Sequence, residues 1–124
     1  WTDLERYICE TEVNGSCDTT FPKDTSTTGE LGTNEGTELK NETNVNGQTG
    51  TDPNGDDGYD FAGLLAGFHN TDGSFLLRGT FGNFWSSSEN GSYAWFRYLD
   101  SSDAGVYRID AGQGYGLAVR CLKD

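Results

Sequence analysis

The residues able to do chemistry fall into a few clusters. Asp52-Pro53-Asn54-Gly55-Asp56-Asp57-Gly58 places oxygen donors at Asp52, Asn54 and Asp56, the alternation a hard cation such as calcium requires. It departs from an EF-hand loop. Asp57 stands where the turn needs glycine, and Gly63 stands where a closing glutamate is needed. A solvated acidic turn is therefore the favoured reading, and calcium is the one cofactor in reach. His69 is the sole histidine. A zinc site would need thiolates or carboxylates beside it. A nucleophilic triad would need an activated hydroxyl, and Ser86, Ser87 and Ser88 sit in no elbow motif. Twenty acidic residues make chance carboxylate pairs inevitable, and no spacing marks a pair for glycoside hydrolysis. Cys9 and Cys17 are close enough in sequence to bridge a short loop, leaving Cys121 over. Sequons stand at Asn14-Gly15-Ser16, Asn41-Glu42-Thr43 and Asn90-Gly91-Ser92.

A different pattern runs from Trp85 to Tyr115. Tyr93, Phe96, Tyr98, Tyr107 and Tyr115 are interleaved with Ser101, Ser102, Gly105, Gly112 and Gly114. Antibody paratopes use this mixture, because Tyr and Trp bring contact area at low rotamer entropy while Ser and Gly allow close approach. An ordinary Tyr-rich sheet with small-residue turns has the same composition.

The elements that must carry these residues follow from patterning. The 124 residues suit one domain. The apolar fraction is only 33%, but aromatics reach 13%, which argues for a loop-rich domain with an aromatic core rather than disorder. Trp1, Leu4 and Ile8 recur at helical spacing, with Asp3 and Glu5 in the first turn, so a helix is expected to run from Trp1 through Cys9 and stop before Asn14-Gly15. From Thr19 to Gly58 the chain is polar, with Phe21, Leu31, Leu39 and Val45 as exceptions. It reads as a long surface loop with one helical turn at Glu35–Lys40. Short strands are expected at Tyr59–Phe61, Leu64–Phe68, Ser74–Arg78, Phe84–Ser88, Tyr93–Leu99, Val106–Asp110 and Leu117–Leu122. Helix first and antiparallel strands later imply an α+β class.

The formal net charge of −12 disfavours nucleic acid and anionic membranes as partners. No apolar run is long enough to insert in a membrane, and no export signal is visible. A chain beginning at Trp1 reads as a fragment, a processed form or a trimmed sequence.

Several segments resemble one family. They are Trp1-Thr2-Asp3-Leu4-Glu5, Phe61-Ala62-Gly63-Leu64-Leu65-Ala66-Gly67-Phe68, Asp72-Gly73-Ser74-Phe75, Phe84-Trp85-Ser86-Ser87-Ser88-Glu89 and Gly116-Leu117-Ala118-Val119-Arg120-Cys121-Leu122-Lys123-Asp124. Together they are similar to the Fibrobacter succinogenes major paralogous domain, a relative of the C-type-lectin-like fold. The frame Ala94-Trp95-x-Arg97-x-Leu99, Val106-x-Arg108 and Gly116-x-x-Val119-Arg120-Cys121 further resembles the variable proteins of diversity-generating retroelements, in which adenine-directed mutagenesis rewrites codons near the C-terminus.

The resemblance implies a single lectin-like domain, incomplete at its N-terminus, with a polar insertion around 19–58. It implies a secreted, cell-surface or virion-surface binding module, receptor-binding or adhesive, for a protein or glycan ligand. The implied ligand-binding positions are Phe96, Tyr98, Asp100, Ser101, Ser102, Asp103, Gly105, Tyr107, Ile109, Asp110, Gly112 and Gln113. All except Gln113 can arise from an AAC or AAT codon by adenine replacement. On that scaffold Trp85, Trp95, Leu99, Val106 and Val119 are expected in the core, Phe96, Tyr98 and Tyr107 outward, and the arginines on loop carbonyls or carboxylates. Asp100, Asp103 and Asp110 would favour a basic or amide-rich partner. The family's Cys-containing segment before the first helix is missing, and the cysteines of the formylglycine-generating enzymes are not recognisable. That enzyme activity is not carried over. An enzyme of that branch, a carboxylate hydrolase and a purely structural surface domain are the alternatives.

Overall fold

The computed structural model describes residues 1–13, 16–24, 26–40 and 57–121. The polypeptide is α+β. Helix α1 (Thr2–Val13) is followed by strand β1 (Gly29–Leu31) and the short helix α2 (Glu35–Leu39). Strands β2 (Phe68–His69), β3 (Phe75–Leu76), β4 (Phe81–Asn90), β5 (Tyr93–Asp100) and β6 (Val106–Gly112) complete it. The main sheet is antiparallel with order β1-β6-β5-β4, and β2-β3 form a separate two-stranded ribbon.

Helix α1 forms where Trp1, Leu4, Glu5 and Ile8 fall on one stripe, with Asp3 and Glu5 complementing the dipole of its first turn. Its inner stripe packs on the sheet. Ile8, Leu39, Phe61, Phe84, Leu99 and Val106 form the main core, flanked by Trp1, Leu4, Tyr59 and Leu65. Burying a side chain such as Ile8 or Leu99 stabilises by about 1.5–3 kcal/mol. The rings of Trp1, Phe61 and Phe84 meet pairwise at 5.4–5.7 Å between centroids. A smaller core holds Phe21 against the Cys9–Cys17 disulfide, with Leu31 beside it. Cys121 is exposed and takes no part in it.

The polar region after Thr19 is more structured than its composition suggests. Phe21, Leu39 and Lys40 are buried, and β1 pairs with β6 as the edge of the main sheet. Only three residues form β1, all of them outside any apolar run, so no periodicity announces it. Among the described residues no strand forms at Tyr59–Phe61, nor over residues 117–121 of the one expected at Leu117–Leu122. Near the latter, Ala118 makes one isolated bridge with Phe84. The strand expected over Leu64–Phe68 shrinks to Phe68–His69, and that over Ser74–Arg78 to Phe75–Leu76.

Candidate functional site: an outward aromatic sheet face

Strict alternation along β5 divides its side chains between two faces. Trp95, Arg97 and Leu99 are buried against the α1 side, while Phe96 and Tyr98 are partly exposed on the other. On β6, Val106 and Arg108 are buried, while Tyr107 and Ile109 point the opposite way. In register, Tyr98 stands across from Tyr107, and Phe96 from Ile109. On β4, Trp85 stands across from Phe96, and Phe81 touches Tyr98.

The result is a continuous ring system. Tyr98 and Tyr107 stack at 4.4 Å with planes 7° apart. Phe81 approaches Tyr98 at 5.2 Å, Phe96 approaches Tyr98 at 6.2 Å, and Trp85 meets Phe96 edge-on at 5.8 Å. Ile109 is 40% exposed beside them. Asn83 lies in the same row but turns to the neighbouring segment, donating to the Gly67 carbonyl at 3.2 Å.

Two arginines at core-facing positions hold this sheet to the rest of the chain. Arg97 Nε donates to Glu5 Oε1 at 2.5 Å, and the side chains of the two residues are only 4% and 1% exposed. Its outer nitrogen also reaches Glu5 Oε2 and Thr2 Oγ1. Arg108 donates to the carbonyls of Pro22 and Asp24, and its guanidinium lies 5.0 Å over the Trp95 ring. Asp24 is itself clamped by the Thr27 hydroxyl and the amides of Thr27 and Ser26, which hold its carboxyl down at about 2. Arg120, by contrast, is exposed, with its guanidinium over Phe61.

One end of the face is an acidic loop between β5 and β6. Helix α2 sits beneath it. The amides of Gly36 and Thr37 donate to Ala104 O, and Lys40 Nζ donates to the carbonyls of Asp100 and Asp103 at 2.8 Å each. Asp100 Oδ1 accepts from the amide and hydroxyl of Ser102. The Tyr107 hydroxyl donates to Asp103 Oδ2 at 2.7 Å and lies 3.3 Å from Glu30 Oε2. These carboxylates raise the Tyr107 phenol well above its ordinary range, the Asp103 hydrogen bond contributing most. Tyr98 is raised too, first by burial and then by Asp100, Asp103 and Glu30.

The other end is a bulge. Trp85 pairs with Phe96 and Glu89 with Ala94, so Ser86, Ser87 and Ser88 oppose only Trp95. The distortion opens a shallow pocket of about 340 Å³, lined by Trp85, the three serines, Glu89, Ala94 and Gln113.

Nine of the twelve candidate positions line this face or its rim: Phe96, Tyr98, Asp100, Ser101, Ser102, Asp103, Tyr107, Ile109 and Gln113. Three do not. Gly105 is buried, and a Cβ there would meet Glu30 Cγ at 2.7 Å and the Leu31 carbonyl at 2.9 Å. Asp110 pairs with Trp95 and Gly112 with Tyr93, which places both on the opposite face. Asn90 donates to Asp110 there. Two core assignments are also corrected. Trp85 faces outward because it shares the row of Phe96, and Val119 is 74% exposed because, among the described residues, the last segment meets the main sheet at the isolated Phe84–Ala118 bridge and not as a paired strand. Sequence reasoning missed Phe81, Trp85, Glu30 and the serine bulge. Phe81 and Trp85 are separated by the even spacing of one strand face, which was the available signal.

The calcium candidates Asp52, Asn54 and Asp56 lie outside the described residues, as do Asn14 and Asn41 of the sequons. Asp57 Oδ1 accepts the Ala62 amide. His69 sits in β2, edge-on to Phe75 at 4.9 Å. Among the described residues no group of three or more His, Cys, Asp or Glu could hold a metal ion. Among them, too, no helix is long and apolar enough to cross a membrane. No family model matches the chain, and neither a curated protein nor a solved structure does.

Proposed function

We propose that this chain is a ligand-binding module, receptor-binding or adhesive, which presents the outward face of its main sheet on a C-type-lectin-like scaffold. The observation that carries the reading is the set of five partly exposed rings, Phe81, Trp85, Phe96, Tyr98 and Tyr107, on one face of a sheet anchored from behind. Rigid aromatic side chains on a fixed backbone make binding anchors at little entropic cost. The alternation also separates display from framework. Inward residues Trp95, Arg97, Leu99, Val106 and Arg108 carry the fold, so outward neighbours can change without unfolding it.

That division supports likeness to the variable proteins of diversity-generating retroelements, with hypervariable positions at Phe96, Tyr98, Asp100–Asp103, Tyr107, Ile109 and Gln113. The Cys9–Cys17 disulfide suits a secreted or surface-displayed protein, since such bridges persist in oxidising compartments.

The test is binding of the folded chain to arrays of proteins and glycans, with Phe96→Ala and Tyr98→Ala alongside. Capture should be lost in both variants while their melting temperatures stay within a few degrees of the parent. Capture unchanged in both would refute the assignment of this face. Sequencing the locus across one population addresses hypervariability. Substitutions confined to adenines at the outward positions, with Trp95, Arg97 and Arg108 fixed, are expected.

A further inference from the structure

We infer that the ligand's principal anchor is a guanidinium side chain, an arginine presented by a protein partner, seated against the Tyr98–Tyr107 stack and the carboxylates beside it. The inference rests on the binding-module reading and names the chemistry that face selects.

Two independent features point to a cation. The first is the rings. Tyr98 and Tyr107 are stacked and partly exposed, and an aromatic face attracts a cation through its quadrupole, arginine more often than lysine. The second is the negative charge around their hydroxyls. Glu30 stands across from Tyr107 on β1, and Asp103 accepts the Tyr107 proton-donating hydroxyl. Burial first, then Asp100, Asp103 and Glu30, disfavour the Tyr98 phenolate. Lys40 lies beneath the loop with its ammonium on the Asp100 and Asp103 carbonyls. Asp100, Asp103 and Glu30 put three carboxylates at this end of the face.

Arg97 and Arg108 do not face these carboxylates, because both point to the opposite side of the sheet. The Glu30 and Asp103 carboxylates are also only lightly engaged. Among the described residues both accept from one and the same phenol hydroxyl, that of Tyr107, so each keeps lone pairs for an incoming donor. A guanidinium is planar. It can lie on a ring while its edge donates to a carboxylate, which a point-like ammonium does less well.

The experiment uses the tripeptide acetyl-Gly-Arg-Gly-amide and its counterpart with citrulline, a neutral side chain of nearly the same shape. Ring signals of tyrosine-labelled protein are followed by NMR, assigned with Tyr98→Phe and Tyr107→Phe. The arginine peptide should shift the Tyr98 and Tyr107 signals saturably. Citrulline should bind roughly tenfold more weakly or not at all, and so should arginine to a Glu30→Gln/Asp103→Asn variant. Raising the salt should weaken the response, as partly exposed charges are screened. Equal responses to the two peptides, a response mapping away from these rings, or none at all would overturn the inference. Array ligands lost in Tyr98→Ala but retained in Glu30→Gln/Asp103→Asn would overturn the cationic class and leave the binding face standing. Array ligands indifferent to Tyr98→Ala would remove the face itself.

Discussion

Replacing Arg97 by methionine should be the most damaging single change behind the candidate face. Arg97 and Glu5 are 92 residues apart, yet their side chains are 4% and 1% exposed and share two contacts, with Thr2 Oγ1 adding a third to the guanidinium. Methionine fills the stem's volume but leaves the Glu5 carboxylate buried without its cation. Breaking a buried pair in this way costs about 3–5 kcal/mol. For a chain of this size each kcal/mol moves the melting temperature by about 4 °C, so the loss should be about 12–20 °C. Glu5→Leu alone strands the guanidinium and should cost a similar amount. The double variant Glu5→Leu/Arg97→Met removes both charges and restores apolar contact, and should recover most of the loss. Thermal unfolding of the four proteins by circular dichroism, with urea titrations for free energies, closes the cycle. If Arg97→Met costs less than about 1 kcal/mol, or if the single costs simply add in the double variant, the pair does not act as a buried unit. Because Phe96 and Tyr98 flank Arg97 on β5, the same variants should lose ligand capture only where they lose fold.

Glycine positions give a paired prediction. Gly105→Asn should destabilise by about 1–3 kcal/mol, since the new side chain meets the Glu30 side chain and the Leu31 carbonyl, whereas Gly112→Asn, with open space around its Cβ, should be within about 0.5 kcal/mol of the parent in the same melt. The disulfide closes a separation of 8 residues, and on the chain-entropy account Cys9→Ser/Cys17→Ser should cost about 2–3 kcal/mol, read as a lower urea midpoint that a reductant no longer changes. Asp24 has its folded-state carboxyl depressed to about 2 from 3.8, so it favours the fold fully above pH 4 and loses that contribution as the pH falls from there towards 2. The urea midpoint should therefore drop across that window, and Asp24→Asn should flatten part of the fall.

Much of the frame is legible in the sequence. The spacing of Trp1, Leu4 and Ile8 marks α1, and the helix covers it from Thr2 to Val13. The runs at Tyr93–Leu99 and Val106–Asp110 mark β5 and β6, because a half-buried antiparallel strand has to alternate. The position of Cys9 and Cys17 near one another suggested their bridge. Arg97 and Arg108 could be placed on carboxylates or loop carbonyls in kind, since a guanidinium at a core-facing position must find acceptors. Which acceptors those are was not legible.

Local pattern determined the helix, the long strands and the two-sidedness that separates Phe96 and Tyr98 from Trp95 and Leu99, because these depend only on the period of the backbone. Tertiary structure alone decided the rest. Glu5 enters the core only because Arg97 arrives opposite it from 92 residues away. Gly105 leaves the surface only because Glu30 and Leu31 pack over it through β1, and Trp85 joins the face only because β4 pairs with β5 in the register that sets it across from Phe96. Such pairings are set by energies between distant segments, and no window along the chain contains both partners.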